Sequence, residues 1–124
     1  MTYLDHVSVL IVDDIPELSE MIAESLRLKG YTVRCASDAM TALALVKEAQ
    51  PHCVLLDVLM PGMNGLEIAR LLRARYGDDI VLIAMSGHRS DDPAVAETFE
   101  IVDHYLRKPF ELSELDPILP DMKV

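Results

Sequence analysis

The stretch "VLLDVLMPGMNG", residues 54–65, decides the fold. Three apolar residues run into Asp57, and the chain then turns through Pro61, Gly62 and Gly65. A short apolar run that does not alternate with polar residues reads as a strand buried on both faces. A carboxylate at the end of such a strand is delivered to the rim of a sheet, and that placement asks for a purpose.

Outward from this stretch, strand and helix alternate along the chain. Residues 7–12, "VSVLIV", read as a strand. Residues 15–29 then place Leu18, Met21, Ile22, Ser25 and Leu26 at helical spacing between Pro16 and Gly30. "YTVRCA" is a second strand, followed by a helix capped around Ser37-Asp38 with Ala42, Leu45, Val46 and Ala49 facing inward. After Pro51 comes the strand "HCVLLD", then a helix from about Asn64 to Tyr76 that ends at Gly77. The strand "IVLIAMS", a helix opened by Asp92-Pro93, the strand "HYLRK" and a weaker helical stretch from Glu111 complete the pattern.

Near-continuous apolar strands separated by helices predict a parallel sheet covered on both faces, a doubly wound α/β domain. A length of 124 residues suits one core, so residues 1–124 are read as a single domain. The formal net charge of −10 argues against direct nucleic-acid binding. No apolar run approaches membrane-spanning length, and "VSVLIV" is cut off by Asp13-Asp14, so a cytoplasmic protein is expected. Cys35 and Cys53 fall near the end of one strand and the start of another. They suit a reducing compartment, and they lack metal-site spacing. His6, His52, His88 and His104 have no second ligand at useful spacing and read as solvated. Met60 and Met63 read as packing for the loop after the third strand.

In such sheets the ligand site lies beyond the carboxyl ends of the strands. Those ends carry Asp13 and Asp14, Asp57, Ser86 and Lys108. Three carboxylates at about 4–5 Å repel by roughly 3–4 kcal/mol per close pair at an effective dielectric near 20, which calls for a cation. An all-oxygen donor set suits Mg²⁺, and Mg²⁺ leaves coordination positions for phosphate oxygens. Asp57, alone at a strand end before a Pro/Gly loop, is the candidate nucleophile. Lys108 and the Ser86 hydroxyl are placed to hold the transferring oxygens.

Through "VLIVDD", "VLLDVLMPGMNGLE", "IAMSG" and "HYLRKPF", in order and over essentially the whole chain, the sequence resembles the receiver domains of two-component response regulators. The resemblance implies a flavodoxin-like sheet of strand order 2-1-3-4-5. It implies that Asp57 accepts a phosphoryl group from the phosphohistidine of a histidine kinase or a histidine phosphotransfer domain. Asp13, Asp14 and the Leu59 backbone carbonyl match Mg²⁺-binding positions, and Ser86 and Lys108 match phosphoryl contacts. Tyr105 matches an aromatic switch that packs inward when Ser86 moves, and Lys108-Pro109 matches a bond held cis. The product is a phosphorylated signalling protein, not a turnover enzyme. Its output is a changed surface of fourth helix, fifth strand and fifth helix, recognised by a downstream protein.

Several positions depart from the family pattern. Leu59 and His88 match the two sites that tune phosphoryl lifetime, and an apolar Leu59 gives no help to an attacking water, so slow dephosphorylation is expected. A half-life of seconds in purified protein with Mg²⁺ would count against this. Gly87 stands where Ala is frequent, and Ile101 replaces the Gly usual before the fifth strand. Asp116-Pro117 and Pro120 predict a truncated or bent last helix. The outward faces of "EMIAESLRLK" and "EIARLLRARY" read as solvated, with the first helix also a docking face for the kinase or phosphotransfer protein. A dehalogenase-type phosphohydrolase would want a second Asp where Leu59 stands. An FMN protein would want a phosphate loop where Asp13-Asp14 stand. The remaining rival is a pseudo-receiver acting only as an interaction module.

Overall fold

Alternate residues of one strand point to opposite faces of a sheet. Along β1 (Ser8–Val12), Val9 and Ile11 enter one apolar cluster while Leu10 and Val12 enter the other, and all four are fully buried. That two-sided burial is why the strand sequences are apolar without alternation. The computed structural model describes residues 7–60, 63–87, 98 and 100–120, with 59, 60, 63 and 64 described by their backbone.

After β1 come α1 (Pro16–Leu28), β2 (Thr32–Ala36), α2 (Ala39–Glu48), β3 (Cys53–Asp57), α3 (Gly65–Tyr76), β4 (Val81–Ser86) and β5 (His104–Arg107). All neighbours pair in parallel, in the spatial order β2-β1-β3-β4-β5, the flavodoxin-like order the resemblance implies. Ile22, Ala23 and Leu26 of α1 cover one face; Ala42 and Val46 of α2 and Ile68, Ala69 and Leu72 of α3 cover the other. Asp38 caps α2, its carboxylate accepting from Thr41 N at 2.7 Å. Cys35 and Cys53 are both free thiols, in β2 and at the start of β3. Helical residues Thr98, Glu100 and Ile101 precede β5; the helix start expected at Asp92-Pro93 lies outside the described residues, as do His6 and His88.

The helix faces are narrower than the periodicity suggested. Met21 is 54% exposed while Ser19 and Ala23 are buried in its place, and Ala49 is exposed beyond the end of α2. An apolar residue at the edge of a helical stripe satisfies the period without reaching the core. His52 is exposed as expected, yet its Nδ1 accepts from Ser8 N at 3.0 Å and joins the starts of β1 and β3.

One larger departure and one borne-out expectation concern the ends of elements. After Val58 the chain makes a small antiparallel ribbon, Leu59–Met60 against Met63–Asn64, where only a loop was expected. After β5 the last helix is reduced to a 3-10 turn, Leu112–Glu114, as Pro117 and Pro120 require. A capping box of Glu111 and Glu114 closes that turn. Leu115 (0% exposed) and Leu119 (5%) then plug into the α1 face, and Lys29–Asp116 and Tyr31–Pro120 contacts hold the segment. Ile101, which takes the place of a Gly, needs no left-handed backbone: among the described residues no non-Gly residue has positive φ. Its carbonyl is instead capped by Arg73 Nε at 2.8 Å.

Because the non-helical tail is anchored by full burial, Leu115→Ala is expected to lower unfolding free energy by about 3 kcal/mol in urea titrations. A change below about 0.5 kcal/mol, typical of exposed positions, would mean that the tail does not pack as described.

Candidate functional site

β1 and β3 are neighbours in register, Val12 opposite Leu56, so the residues that follow each strand emerge side by side. Carboxylate oxygens of Asp13, Asp14 and Asp57 all lie within 4.8 Å of one another. Asp13 and Asp57 are 1% and 6% exposed, and Asp14 is half-buried. Asp13 is fixed from both sides: its Oδ1 accepts from Ile15 N at 3.0 Å and its Oδ2 from Lys108 Nζ at 2.7 Å. The same Nζ stands 3.5 Å from Asp57 Oδ2. Ser86, fully buried, ends β4 one residue beyond the partner of Asp57, and its carbonyl accepts from Lys108 N at 2.8 Å. Tyr105 is half-buried against Val58 and Ala84, and the Lys108-Pro109 bond is cis. Leu59 stands two residues past Asp57, paired through its backbone with Asn64; its side chain lies outside the described residues, as do those of Met60 and Met63.

Burial, chiefly, pushes the Asp57 carboxyl up to about 6; the Lys108 ammonium pulls it back, and the charges of Asp13 and Asp14 push it further up. Two of the three clustered carboxylates, Asp13 and Asp57, share Lys108 at close range. The residues therefore fit a hard divalent cation: an all-oxygen set with negative charge in excess and partly removed from water.

One site-forming residue escaped the sequence reading in its true role. A Cβ on Gly65 would lie 2.2 Å from the Asp57 carbonyl oxygen and 2.8 Å from that of Val58, and Gly65 N donates to Val58 O at 2.9 Å. Glycine is needed there for close backbone approach, not merely for a turn. Its position eight residues past Asp57 held the only available signal.

A second feature adjoins the site. Leu18, Met21, Ile22, Pro109, Phe110 and Leu112 line an apolar hollow of about 430 Å³, with Lys108 on its wall. Ile15, beside Asp14, is 47% exposed at the N-terminus of α1.

The model of the response regulator receiver domain family matches residues 9–119. The chain belongs to this family. Response regulator MprA of Mycobacterium sp. (strain KMS) is 40% identical over 109 residues, which cover 88% of this chain and 47% of that protein. The receiver thus spans about half the length of the curated relatives it matches. Among solved structures, a CheY-like receiver domain from Methylobacillus flagellatus superposes with a TM-score of 0.80 at 28% identity, covering 91% of this chain and 95% of that one. TrrA from Thermotoga maritima, solved in complex with Mg(2+)-BeF, gives a TM-score of 0.76 at 31% identity, covering 90% and 94%.

Two outcomes follow from the geometry. Gly65→Ala is expected to displace the Asp57 backbone and lower the melting temperature; an unchanged melting point and an unchanged Asp57 resonance would refute the close contact. For metal-free protein, the raised Asp57 pKa means that the native state holds a proton the unfolded chain has released. Stability therefore falls as pH rises from about 4 to about 6, by at most about 3 kcal/mol, less what solvent at the rim screens. Asp57→Asn should accordingly stabilise the metal-free receiver at pH 7.5, with the gain vanishing near pH 4. Equal effects at both pH values would contradict the assignment.

Proposed function

We propose that Asp57 is the phosphoacceptor of a two-component relay, receiving its phosphoryl group from a phosphohistidine on a histidine kinase or histidine phosphotransfer domain. The observation that carries this reading is the convergence on Asp57 of Lys108, at 3.5 Å, and of the Asp13–Asp14 pair, within 4.8 Å. An ionised Asp57 oxygen attacks phosphorus in line while the phosphorus–nitrogen bond to the imidazole breaks, and the donor histidine keeps the electron pair. Lys108 Nζ balances charge on the transferring oxygens, and the Ser86 hydroxyl donates to one of them. Mg²⁺, held by Asp13, Asp14, Asp57 and the Leu59 carbonyl, would supply charge neutralisation at the same oxygens.

The phosphoryl group adds acceptor oxygens where only carboxylates stood, and Ser86, Lys108 and Tyr105 transmit that change to the β5 side of the domain. A downstream protein reads the altered surface. The apolar hollow along α1, lined in part by exposed Met21, is the docking face for the phosphodonor. The receiver acts as a single domain over residues 1–124 and promotes its own phosphorylation without turning over an external substrate. With a net charge of −10 this segment offers no phosphate-neutralising surface, so nucleic-acid contact is not assigned to it. Among the described residues no helix is long and apolar enough to cross a membrane, in keeping with a cytoplasmic setting. The interaction-only reading has no residue in its favour, since every site position is chemically competent.

Incubated with acetyl phosphate and Mg²⁺, the purified receiver is expected to gain the mass of one phosphoryl group in a base-labile linkage. Asp57→Asn should take up none, and Lys108→Ala should be slowed without loss of fold. Absence of uptake by the parent protein, with acetyl phosphate and beryllofluoride alike, would overturn the proposal.

A further inference from the structure

The strand that carries Tyr105 and leads into Lys108 is the shortest in the sheet. β5 has four residues and, among the described residues, a single strand neighbour, β4, with Ile83 opposite His104 and Ser86 opposite Arg107. A slip of one residue would turn Leu106 out of the core and withdraw Lys108 from the carboxylates. At its exit the register is fixed by Lys108 N donating to Ser86 O. Both of those residues belong to the site, however, and are the ones that change when a phosphoryl group arrives.

At its entrance the strand is held differently. Asp103 N donates to Leu82 O at 2.8 Å, and the Asp103 carboxylate accepts from Leu82 N at 2.8 Å. The same carboxylate oxygen accepts from Arg73 Nη2 at 2.6 Å. The Arg73 guanidinium also donates to the carbonyls of Ile101 (2.8 Å), Gly77 (2.8 Å) and Ile80 (3.0 Å). One side chain thus joins the end of α3, the turn after it, the start of β4 and the last helical residue before β5. Its planar fork makes this possible, since a lysine could not serve acceptors in four directions. The Arg73 side chain is 19% exposed and that of Asp103 40%, so the bonds to Ile101 and Ile80 are partly shielded while those to Asp103 and Gly77 stand at the rim.

We propose that Arg73 and Asp103 are positioning residues that form the fixed pivot of the phosphorylation switch. They hold the β5 register in both states, so that change at Ser86 and Lys108 becomes movement of side chains rather than slippage of the strand. This rests on the reading of Asp57 as phosphoacceptor, with Arg73 and Asp103 touching neither the phosphoryl group nor the metal.

The test is amide and arginine Nε–H spectroscopy of the intact chain titrated with beryllofluoride and Mg²⁺. Amides of Asp57, Ser86 and Lys108 should shift, while the Arg73 Nε–H and the amides of Leu82 and Asp103 keep their shifts and their protection from exchange. Asp103→Asn should raise the beryllofluoride concentration for half-response about tenfold, the equivalent of one charge-assisted hydrogen bond, and perturbation should then spread to Leu82. Should that variant fail to fold, Arg73→Lys, which retains the charge but not the fork, is expected to do the same. No shift at Asp57 in the parent protein would remove the phosphoacceptor reading itself. A parent response that includes the Arg73 Nε–H, or a variant with lowered melting temperature but unchanged half-response, would overturn the pivot and leave the phosphoacceptor reading standing.

Discussion

Negative charge packed at the end of buried strands is the constraint on which the molecule turns. Asp13 and Asp57 are brought together by adjacent strands that have no freedom to move apart, since both strands are buried on each face. Lys108 is the cation that reaches both, at 2.7 and 3.5 Å, and it comes from beyond the far edge of the sheet. The charge balance of the site therefore depends on the register of a short edge strand. That dependence explains why so many polar contacts are spent at Asp103 and Arg73, far from the carboxylates themselves. The raised pKa of Asp57 belongs to the same account, because a group destabilised by burial is one that a cation or a phosphoryl group can stabilise.

The sheet was readable in the sequence because its strands are buried on both faces and so carry uninterrupted apolar runs. The site was readable because the residues that follow those runs are charged or hydroxylic. Helix faces were read less well: Met21 and Ala49 satisfy the period but fall at the edge of the stripe or past the helix end. Arg73 was read as part of a solvated face, since nothing local to "LLRARY" reveals that its acceptors lie up to 30 residues away. Long-range polar partners leave no periodic trace. Gly65 was seen as a turn residue, whereas its requirement arises from a backbone approaching it in space.

Family membership and geometry meet at this point. The match over residues 9–119 shows a receiver, and the carboxylates of Asp13, Asp14 and Asp57 cluster with Lys108 at one end of the sheet. The segment after β5 lacks a regular α-helix among the described residues. Where a full last helix would offer a long regular face beside β5, this receiver offers a capped turn and two inward leucines. Any partner that reads the β5 side meets an irregular surface there.

The tail has a consequence for how the chain acquires its structure. Its contacts with Lys29 and Tyr31 span 87 and 89 residues. These are among the most non-local contacts in the molecule, and closing loops of that length is slow compared with forming a helix turn. Until Leu115 and Leu119 arrive, the apolar face of α1 has no cover from that segment, so a chain synthesised only as far as Leu112 carries an adhesive surface. The proline-broken segment thus ties the far end of the fold back to its first helix, and until it packs that helix is open to other partners.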